Sequence, residues 1–395
     1  MKNTRAAQTA SYFVAFVALG MAMASLGPTL PGLAEQTRAS LGEISFLFTV
    51  RSFGFLLGSL FSGRFYDRMP GHKVMAVTII AMSATLALMP VVTTLAVLLA
   101  VMLALGMAEG ALGVGGNALL VWVHQSRVAP FMNALHFFYG FGGFISPLII
   151  ARTLSIKNTT AAPYFTLALL VLPAAALLLR LPSPQNQQAS EEHPGAGKVN
   201  YKLVGLIALL LCLYIGAEVS YGSWIYSYVM RMGLGDAELA AYLTSVFWGS
   251  LTVGRLIGVP IAARFRPRVI LLADLIGCFI SIGIAIVWST SLAAITVATV
   301  CVGLSMASIY PTALTFAERR MKITGQVTGF LIVGGSAGGM IVPLLIGQMF
   351  ESIGPRVMMF TILFDLAAAA IVYLSLVLGS SAGHRAGPGQ RHRAV

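Results

Sequence analysis

The chain has 395 residues, of which 57% are hydrophobic and only 10% are charged, and its mean hydropathy is +0.86. A water-soluble domain carries roughly 25% charged residues, so this composition excludes a soluble globular protein. The formal net charge is +12. The basic residues form no cluster that would make a folded basic face, which argues against a nucleic-acid partner.

Twelve hydrophobic segments are long enough to cross a bilayer, which takes about 20 apolar residues in a helix. Helices satisfy their own backbone polar groups in lipid, so the sequence predicts an all-α membrane protein. The first segment is expected to be a span and not a cleaved signal peptide, because it is too long and no small-x-small site follows it. The predicted spans are residues 10–32, 42–63, 72–92, 95–122, 130–153, 160–181, 202–229, 238–262, 268–289, 291–316, 324–350 and 355–379.

The two halves of the chain contain similar segments at a constant offset of 196 residues. The run Gly142–Ile150 matches the run Gly338–Ile346, and the same offset relates Gly58 to Gly254. A membrane chain with such a repeat is typical of secondary transporters, whose two bundles face each other across a site near the midplane. The sequence therefore predicts two pseudo-symmetric bundles of six helices.

The repeat and the composition predict where the domains begin and end. An N-terminal bundle covers residues 1–181, a cytoplasmic linker 182–200, a C-terminal bundle 201–379 and a disordered cytoplasmic tail 380–395. With both termini in the cytoplasm, eighteen Lys and Arg residues lie on that side and five on the other. This bias follows the positive-inside rule and predicts a multi-pass protein of the inner cell membrane.

The loop between the second and third spans carries a recognisable motif. Gly63, Asp67, Arg68 and Gly71 resemble the signature of the major facilitator superfamily, although two residues separate Arg68 from Gly71 where one is usual. The resemblance implies a cytoplasmic gate in which Asp67 holds the start of the eleventh span near Thr324, where a helix N-terminus favours an anion. The alternative is that the basic residues of this loop only bind anionic lipid.

Several further segments resemble the fucose:proton symporter branch of that superfamily, including proteins like the sodium-dependent glucose transporters. They are Leu26–Thr29, Gly115–Asn117, Ala134–Phe137, Gly216–Val219, Gly222–Ile225 and Tyr310–Thr312. The resemblance implies a monomeric secondary transporter, not an enzyme, that takes up a hexose or similar solute together with a proton or sodium and needs no cofactor. The alternative is a proton-coupled exporter of a small amphipathic compound or drug. The arginine typical of drug antiporters is replaced by Met102 in the fourth span.

Charges within spans are the strongest candidates for function, because each costs at least about 2.5–3.5 kcal/mol on insertion scales. Arg51 and Glu109 lie at similar depth, and they form either a static ion pair or a site that couples transport to a cation. Relatives often carry the acid at the position of Gly113, and here it lies one turn away at Glu109. Glu218 is a second candidate for ion coupling and also for solute binding.

Polar and aromatic residues at helical spacing predict the walls of a solute site. A sugar needs hydrogen bonds to its hydroxyls and a flat surface for its C–H face. A sensor or lipid-handling protein without solute turnover remains a further alternative. Tyr310 lies beside a predicted helix interruption at Pro311. The predicted solute-binding residues are Asn117, Asn133, His136, Tyr139, Glu218, Tyr221, Trp224, Trp248 and Tyr310.

The remaining buried polar residues are predicted to be mainly structural. Arg255 and Asp274 are expected to neutralise each other, and Asp365 is assigned to neither class. Cys212, Cys278 and Cys301 all fall within spans, and no two have the spacing of metal ligands. We interpret them as small core residues.

Overall fold

The structure is a computed structural model that describes residues 2–157, 159–184, 200–321 and 325–384. The described residues form fourteen α-helices, with one short 3-10 helix at Gln125–Arg127. The α-helices are α1 Lys2–Thr37, α2 Leu41–Ile44, α3 Phe46–Arg68, α4 Gly71–Leu88, α5 Leu95–His124, α6 Ala129–Lys157, α7 Ala161–Leu179, α8 Tyr201–Arg231, α9 Ala237–Arg264, α10 Pro267–Val287, α11 Leu292–Met306, α12 Ile309–Glu318, α13 Gly325–Phe350 and α14 Val357–His384.

The predicted all-α fold with twelve spans is confirmed for the described residues. Helices α2 and α3 together make the second span, and α11 and α12 make the tenth. Helices α1–α7 form one bundle and α8–α14 the other. Helix α14 extends into the predicted tail as far as His384. Residues 185–199 of the predicted linker and 385–395 of the tail lie outside the described residues.

The internal repeat corresponds to a helix crossing that occurs once in each half. A Cβ atom on Gly142 of α6 would collide with the backbone of α1, and one on Gly338 of α13 would collide with the backbone of α8. Gly20 of α1 and Gly216 of α8 lie at the same two crossings and are also 196 residues apart. Small residues allow membrane helices to approach closely, so the repeat preserves two matched close contacts.

The matched pair Gly58 and Gly254 makes the second repeated contact. A Cβ on Gly58 would meet the carbonyl oxygen of Met107, which places α3 against α5. A Cβ on Gly254 would meet Ala307 and Leu304, which places α9 against α11. These contacts fix the rotation of α3 and α9 and therefore the direction of the charged residues that both helices carry.

The tenth span is interrupted, as the sequence predicted, but the break precedes the proline. Helix α11 ends at Met306 and α12 begins at Ile309, so Pro311 lies in the first turn of α12. A proline in the first helical turn is tolerated, whereas in a continuous helix its ring would clash with the carbonyl of residue 307. The Ser308 hydroxyl at the break donates to Asp274 of α10, with an O–O distance of 2.6 Å.

The two halves are joined on one side of the membrane-spanning region. Because there are twelve spans, α1 begins and α14 ends on the same side, which we call the terminal side. The Leu41 amide donates to Glu351 at 3.1 Å, and Gln348 donates to the Gly42 carbonyl at 2.7 Å. Thr49 donates to the Met340 carbonyl at 3.0 Å. Among the described residues, the hydrogen bonds that join the halves lie towards the side of the spans opposite the termini.

Helices α1 and α8 also touch in this joined region. A Cβ on Gly27 of α1 would lie 2.7 Å from the carbonyl oxygen of Ser223 in α8. A separation of that size forces the two backbones apart, since neither can move as a flexible side chain would. Gly27 therefore permits the closure of the halves on the side opposite the termini.

Substitution of Gly27 tests this closure. We expect Gly27→Val to hold the halves apart on the side opposite the termini, because the added methyl groups occupy the space of the Ser223 backbone. Spin labels at the exposed positions Arg38 and Arg356, in a background without the three native cysteines, report the separation. The distance should lengthen in Gly27→Val and not in Gly205→Val, whose Cβ has no atom within 4 Å. Equal distances in the two variants would contradict this role of Gly27.

Candidate functional site

The first candidate site in the N-terminal half is a closed ion pair. Arg51 of α3 donates to both carboxylate oxygens of Glu109 in α5, through Nε at 2.9 Å and a terminal nitrogen at 2.5 Å. Its other terminal nitrogen donates to the Met23 carbonyl of α1 at 2.8 Å. Glu109 is 3% exposed. All three guanidinium nitrogens are bonded, so this bidentate pair fastens α1, α3 and α5 together.

The second candidate site is a looser ion pair in the C-terminal half. A terminal nitrogen of Arg255 in α9 lies 3.6 Å from a carboxylate oxygen of Glu218 in α8. That distance exceeds the 2.7–2.9 Å that is typical of a charge-assisted hydrogen bond. The predicted neutralisation of Arg255 by Asp274 is therefore wrong, because Arg255 pairs with Glu218 and Asp274 accepts from Ser308.

Arg51 and Arg255 differ in how many of their N–H donors are hydrogen-bonded to the protein. A guanidinium has five N–H donors, and within the described residues the Arg255 side chain makes no hydrogen bond. Its side chain is 23% exposed, compared with 11% for Arg51. The Tyr214 hydroxyl lies beside the Glu218 carboxylate. The second pair therefore retains unused hydrogen-bonding capacity.

Tyr139 of α6 connects the two charged sites. It lies close enough to both ion pairs to be influenced electrostatically by Glu218, Arg255, Glu109 and Arg51. Arg255 also influences His136 of α6 and Tyr310 of α12. Of the predicted solute-site residues, the structure pairs Glu218 with Arg255, and it places His136, Tyr139 and Tyr310 within electrostatic range of that arginine.

The terminal side of α6 is open to water. Asn133 and His136 are exposed although both lie within a predicted span, and the His136 ring is nearly perpendicular to the Phe16 ring of α1. Exposed polar side chains in a span face an aqueous space, because hydrocarbon would not solvate them. Helices α6 and α9 meet further along, where Gly140 faces Thr252 and Gly249 faces Phe144. The halves therefore meet beyond His136, and the aqueous space that Asn133 and His136 face, here called the cavity, lies towards the termini.

Trp248 lies where the two halves meet. Its ring lies against Gly143 of α6 and Gly222 of α8, so it contacts both halves. The indole N–H is buried and has no hydrogen-bond partner among the described residues. A buried donor without a partner costs about 1–3 kcal/mol, which a bound hydroxyl oxygen could recover.

Three other predicted solute-site residues are not brought to this group. The Tyr221 hydroxyl bonds Thr299 at 2.9 Å, inside the C-terminal half. Trp224 donates to the Pro343 carbonyl at 3.1 Å and lies between Phe350 and Phe48, so it packs in the joined region. Asn117 donates to the Gly113 carbonyl of its own helix at 2.7 Å.

The predicted gate residues lie at the terminal side, where α3 ends. Asp67 and Arg68 are exposed and form no ion pair within the described residues. A Cβ on Gly71 would collide with Leu119 of α5, whereas Gly63 has open space around it. Thr324, the proposed partner of Asp67, lies outside the described residues.

Asp365 of α14 is buried beside α8. It is 6% exposed, and one carboxylate oxygen has no hydrogen-bond partner among the described residues. It lies near Ala217, next to Glu218 in α8. From the sequence, Arg255 was paired with Asp274 and not with Glu218, although the cost of an arginine inside a span was a signal that it needed a partner.

Comparison with known proteins identifies the family. The family model described as Major Facilitator Superfamily matches residues 12–343. The chain belongs to the major facilitator superfamily. It is 28% identical over 384 residues to sodium-dependent glucose transporter 1 of Xenopus laevis, which covers 89% of this chain and 78% of that protein. It is 28% identical to sodium-dependent glucose transporter 1A of Mus musculus, covering 85% and 88% of the two chains.

Another relative and two solved structures extend the comparison. Major facilitator superfamily domain-containing protein 4A of Pongo abelii is 27% identical, with 88% of this chain and 87% of that protein covered. A point mutant of the nucleoside transporter NupG superposes with a TM-score of 0.76 at 12% identity, over 95% and 99% of the chains. A bacterial homolog of the human lysosomal transporter Spinster, inward-facing and unoccupied, gives 0.68 at 14% identity, over 96% of each. The chain is thus a membrane transporter of the major facilitator fold.

The Arg51–Glu109 pair is expected to stabilise the N-terminal half. Arg51→Gln leaves a buried carboxylate without its partner, and breaking such a pair costs about 3–5 kcal/mol. The midpoint of thermal unfolding of the purified protein should fall. Arg51→Lys should restore little, because one ammonium cannot bond both carboxylate oxygens and the Met23 carbonyl.

Arg68→Gln is the control for the loss of charge, because Arg68 is exposed at the end of the same helix. Its midpoint should match that of the unsubstituted protein. If Arg51→Gln unfolds at the same temperature as Arg68→Gln but loses ion-driven uptake, the pair couples transport and does not stabilise the bundle.

Proposed function

We propose that this protein is a secondary active transporter that imports a hexose or similar polyhydroxylated solute together with a proton or a sodium ion. Glu218 is the coupling acid, and the solute binds between the halves beside His136, Tyr139, Trp248 and Tyr310. Asn133 lines the path to the terminal side. Transport proceeds by alternating access, in which the halves rock about this site.

The proposal rests on the burial and the ion pairing of the Glu218 carboxylate. A carboxylate that is 8% exposed and whose ion pair is as long as 3.6 Å is costly to keep charged, so a cation that neutralises it or replaces its partner binds there readily. Glu109 offers no such opportunity, because Arg51 occupies both of its oxygens. We therefore assign the coupling ion to Glu218, and we interpret Arg51 and Glu109 as the structural pair.

The groups around Glu218 suit a polyhydroxylated solute. Trp248, which is 3% exposed in this state, carries an unpartnered N–H donor, and Tyr139, Tyr310 and His136 supply groups that donate or accept. Specific pockets combine apolar surface with a few polar groups in this way. The relatives named sodium-dependent glucose transporters support a sugar and favour sodium as the coupling ion.

Residues outside the central site change its access. The halves are joined away from the termini, so the described conformation is the state that opens to the terminal side. The basic residues on the terminal side favour its facing the cytoplasm, with the protein in the cell membrane. In the opposite state, Asp67 and Arg68 would close the cytoplasmic gate against the eleventh span. Trp224 then leaves Phe48, and it becomes accessible to solute as the opposite side opens.

Tyr221 supports α8 through its hydrogen bond to Thr299. Asn117 binds solute only if α5 moves towards the cavity.

Removal of the Glu218 charge separates coupling from transport. In proteoliposomes, we expect Glu218→Gln to abolish sodium- or proton-driven accumulation of D-glucose while it retains counterflow of D-glucose. Glutamine cannot release a proton or pair with a cation, so the carrier equilibrates the solute to a ratio of about one. Uptake and counterflow of labelled D-glucose, with either ion gradient imposed, measure both activities.

Glu35→Gln is the matched control, because Glu35 is an exposed acid at the end of α1, and it should behave as the unsubstituted protein. Retention of driven accumulation in Glu218→Gln would contradict the coupling role. If D-glucose and related sugars fail to exchange while tetraphenylphosphonium does, the protein is instead an exporter of amphipathic compounds.

A further inference from the structure

We propose that Arg255 binds the solute and that the coupling cation controls whether it is free to do so. When Glu218 is charged, Arg255 is held beside it. When a cation neutralises Glu218, Arg255 is released and donates hydrogen bonds to the hydroxyl oxygens of the solute. This inference rests on the proposed function and adds the residue through which cation binding and solute binding influence each other.

The hydrogen-bonding state of Arg255 is the first observation behind this inference. Its N–H groups make no hydrogen bond to a described residue, and its nearest acid lies at 3.6 Å. An arginine within a span is too costly to remain unsolvated, so water or a solute in the cavity must accept from these donors. Arg51, at a similar cost, already bonds three acceptors of the protein.

The position of Arg255 is the second observation. It lies one turn from Thr252, which faces Gly140 of the other half, so it is at the edge of the contact between α6 and α9. The titratable and charged groups around the pair are Tyr214 on α8, His136 and Tyr139 on α6, and Tyr310 on α12. Glu218 is the acid that pairs with Arg255, so loss of its charge leaves the guanidinium available to a ligand.

The packing of α9 is the third observation. Gly254 fits directly against Ala307 and the Leu304 backbone of α11, which fixes how α9 is rotated. Arg255 follows Gly254 in the chain and therefore cannot turn away with the helix. Its side chain extends to Glu218 of α8.

The arrangement predicts that cation and solute strengthen each other's binding. Coupling between two sites is reciprocal, and typical values change affinity by roughly 5–150-fold. For the purified protein, we expect the affinity for D-glucose to rise within that range when the coupling cation is supplied. The comparison uses sodium chloride against choline chloride at fixed pH, and then a series of pH values without sodium.

Three variants identify the part that Arg255 plays. Glu218→Gln mimics the neutralised acid, so it should bind D-glucose without cation as tightly as the unsubstituted protein binds with it. Arg255→Gln should bind weakly and respond to neither cation. The double variant Glu218→Gln with Arg255→Gln should bind as weakly as Arg255→Gln alone. Arg264→Gln, an exposed arginine of the same helix, should retain the full response.

The outcomes are distinguishable. If the double variant binds as tightly as Glu218→Gln, Arg255 is only a counter-ion and the inference fails. If Arg255→Gln still responds to the cation, the inference also fails while coupled transport stands. If the unsubstituted protein binds D-glucose equally with and without either cation, both the inference and the coupling part of the proposed function fail. Intrinsic thermal unfolding of each variant, measured without ligand, separates loss of binding from loss of folding.

Discussion

The inability of hydrocarbon to solvate charge governs the arrangement of this protein. Each ionisable side chain within a span must be paired, bonded or in contact with water. The chain contains two arginines in this situation, and the protein treats them differently. Arg51 is bonded to a carboxylate and a carbonyl, whereas Arg255 has one loose ion pair. The first arrangement holds helices together, and the second leaves a charge for which a ligand can compete.

The scaffold is repeated in the two halves, but the charges are not. Glycines at matched positions allow the crossings of α1 with α6 and of α8 with α13. The positions that correspond to Arg51 and Glu109 at the same offset are Phe247 and Ser305. Symmetry of packing therefore coexists with asymmetry of chemistry. In the proposed mechanism, the N-terminal half holds the closed ion pair, and the C-terminal half supplies the groups that respond to the cation.

The sequence predicted the fold because hydrophobic length and small residues directly determine membrane helices and their crossings. It also predicted that Arg51 and Glu109 could pair, since each alone would be too costly at that depth. It did not predict the partner of Arg255. That pairing depends on the rotation of α9, which the contact of Gly254 with α11 fixes only once the helices are packed.

The spacing of residues along a helix did not show which of them face the cavity and which face the interior of a bundle. Glu218, Tyr221 and Trp224 follow one another at intervals of three residues, yet Tyr221 bonds Thr299 and Trp224 bonds the Pro343 carbonyl. An interval of three residues rotates the side chain by about 60° from the previous one on a helix of 3.6 residues per turn. Two such steps are enough to turn a residue from the cavity towards a neighbouring helix.

The most direct test of this account is whether the solute itself moves the cation. In proteoliposomes without any ion gradient, an imposed D-glucose gradient should drive sodium or protons in the same direction, followed with an internal sodium- or pH-sensitive dye. The account predicts a cation flux that requires the protein and the sugar. D-glucose that crosses with neither ion moving would contradict the claim that one cavity between the halves binds cation and solute together.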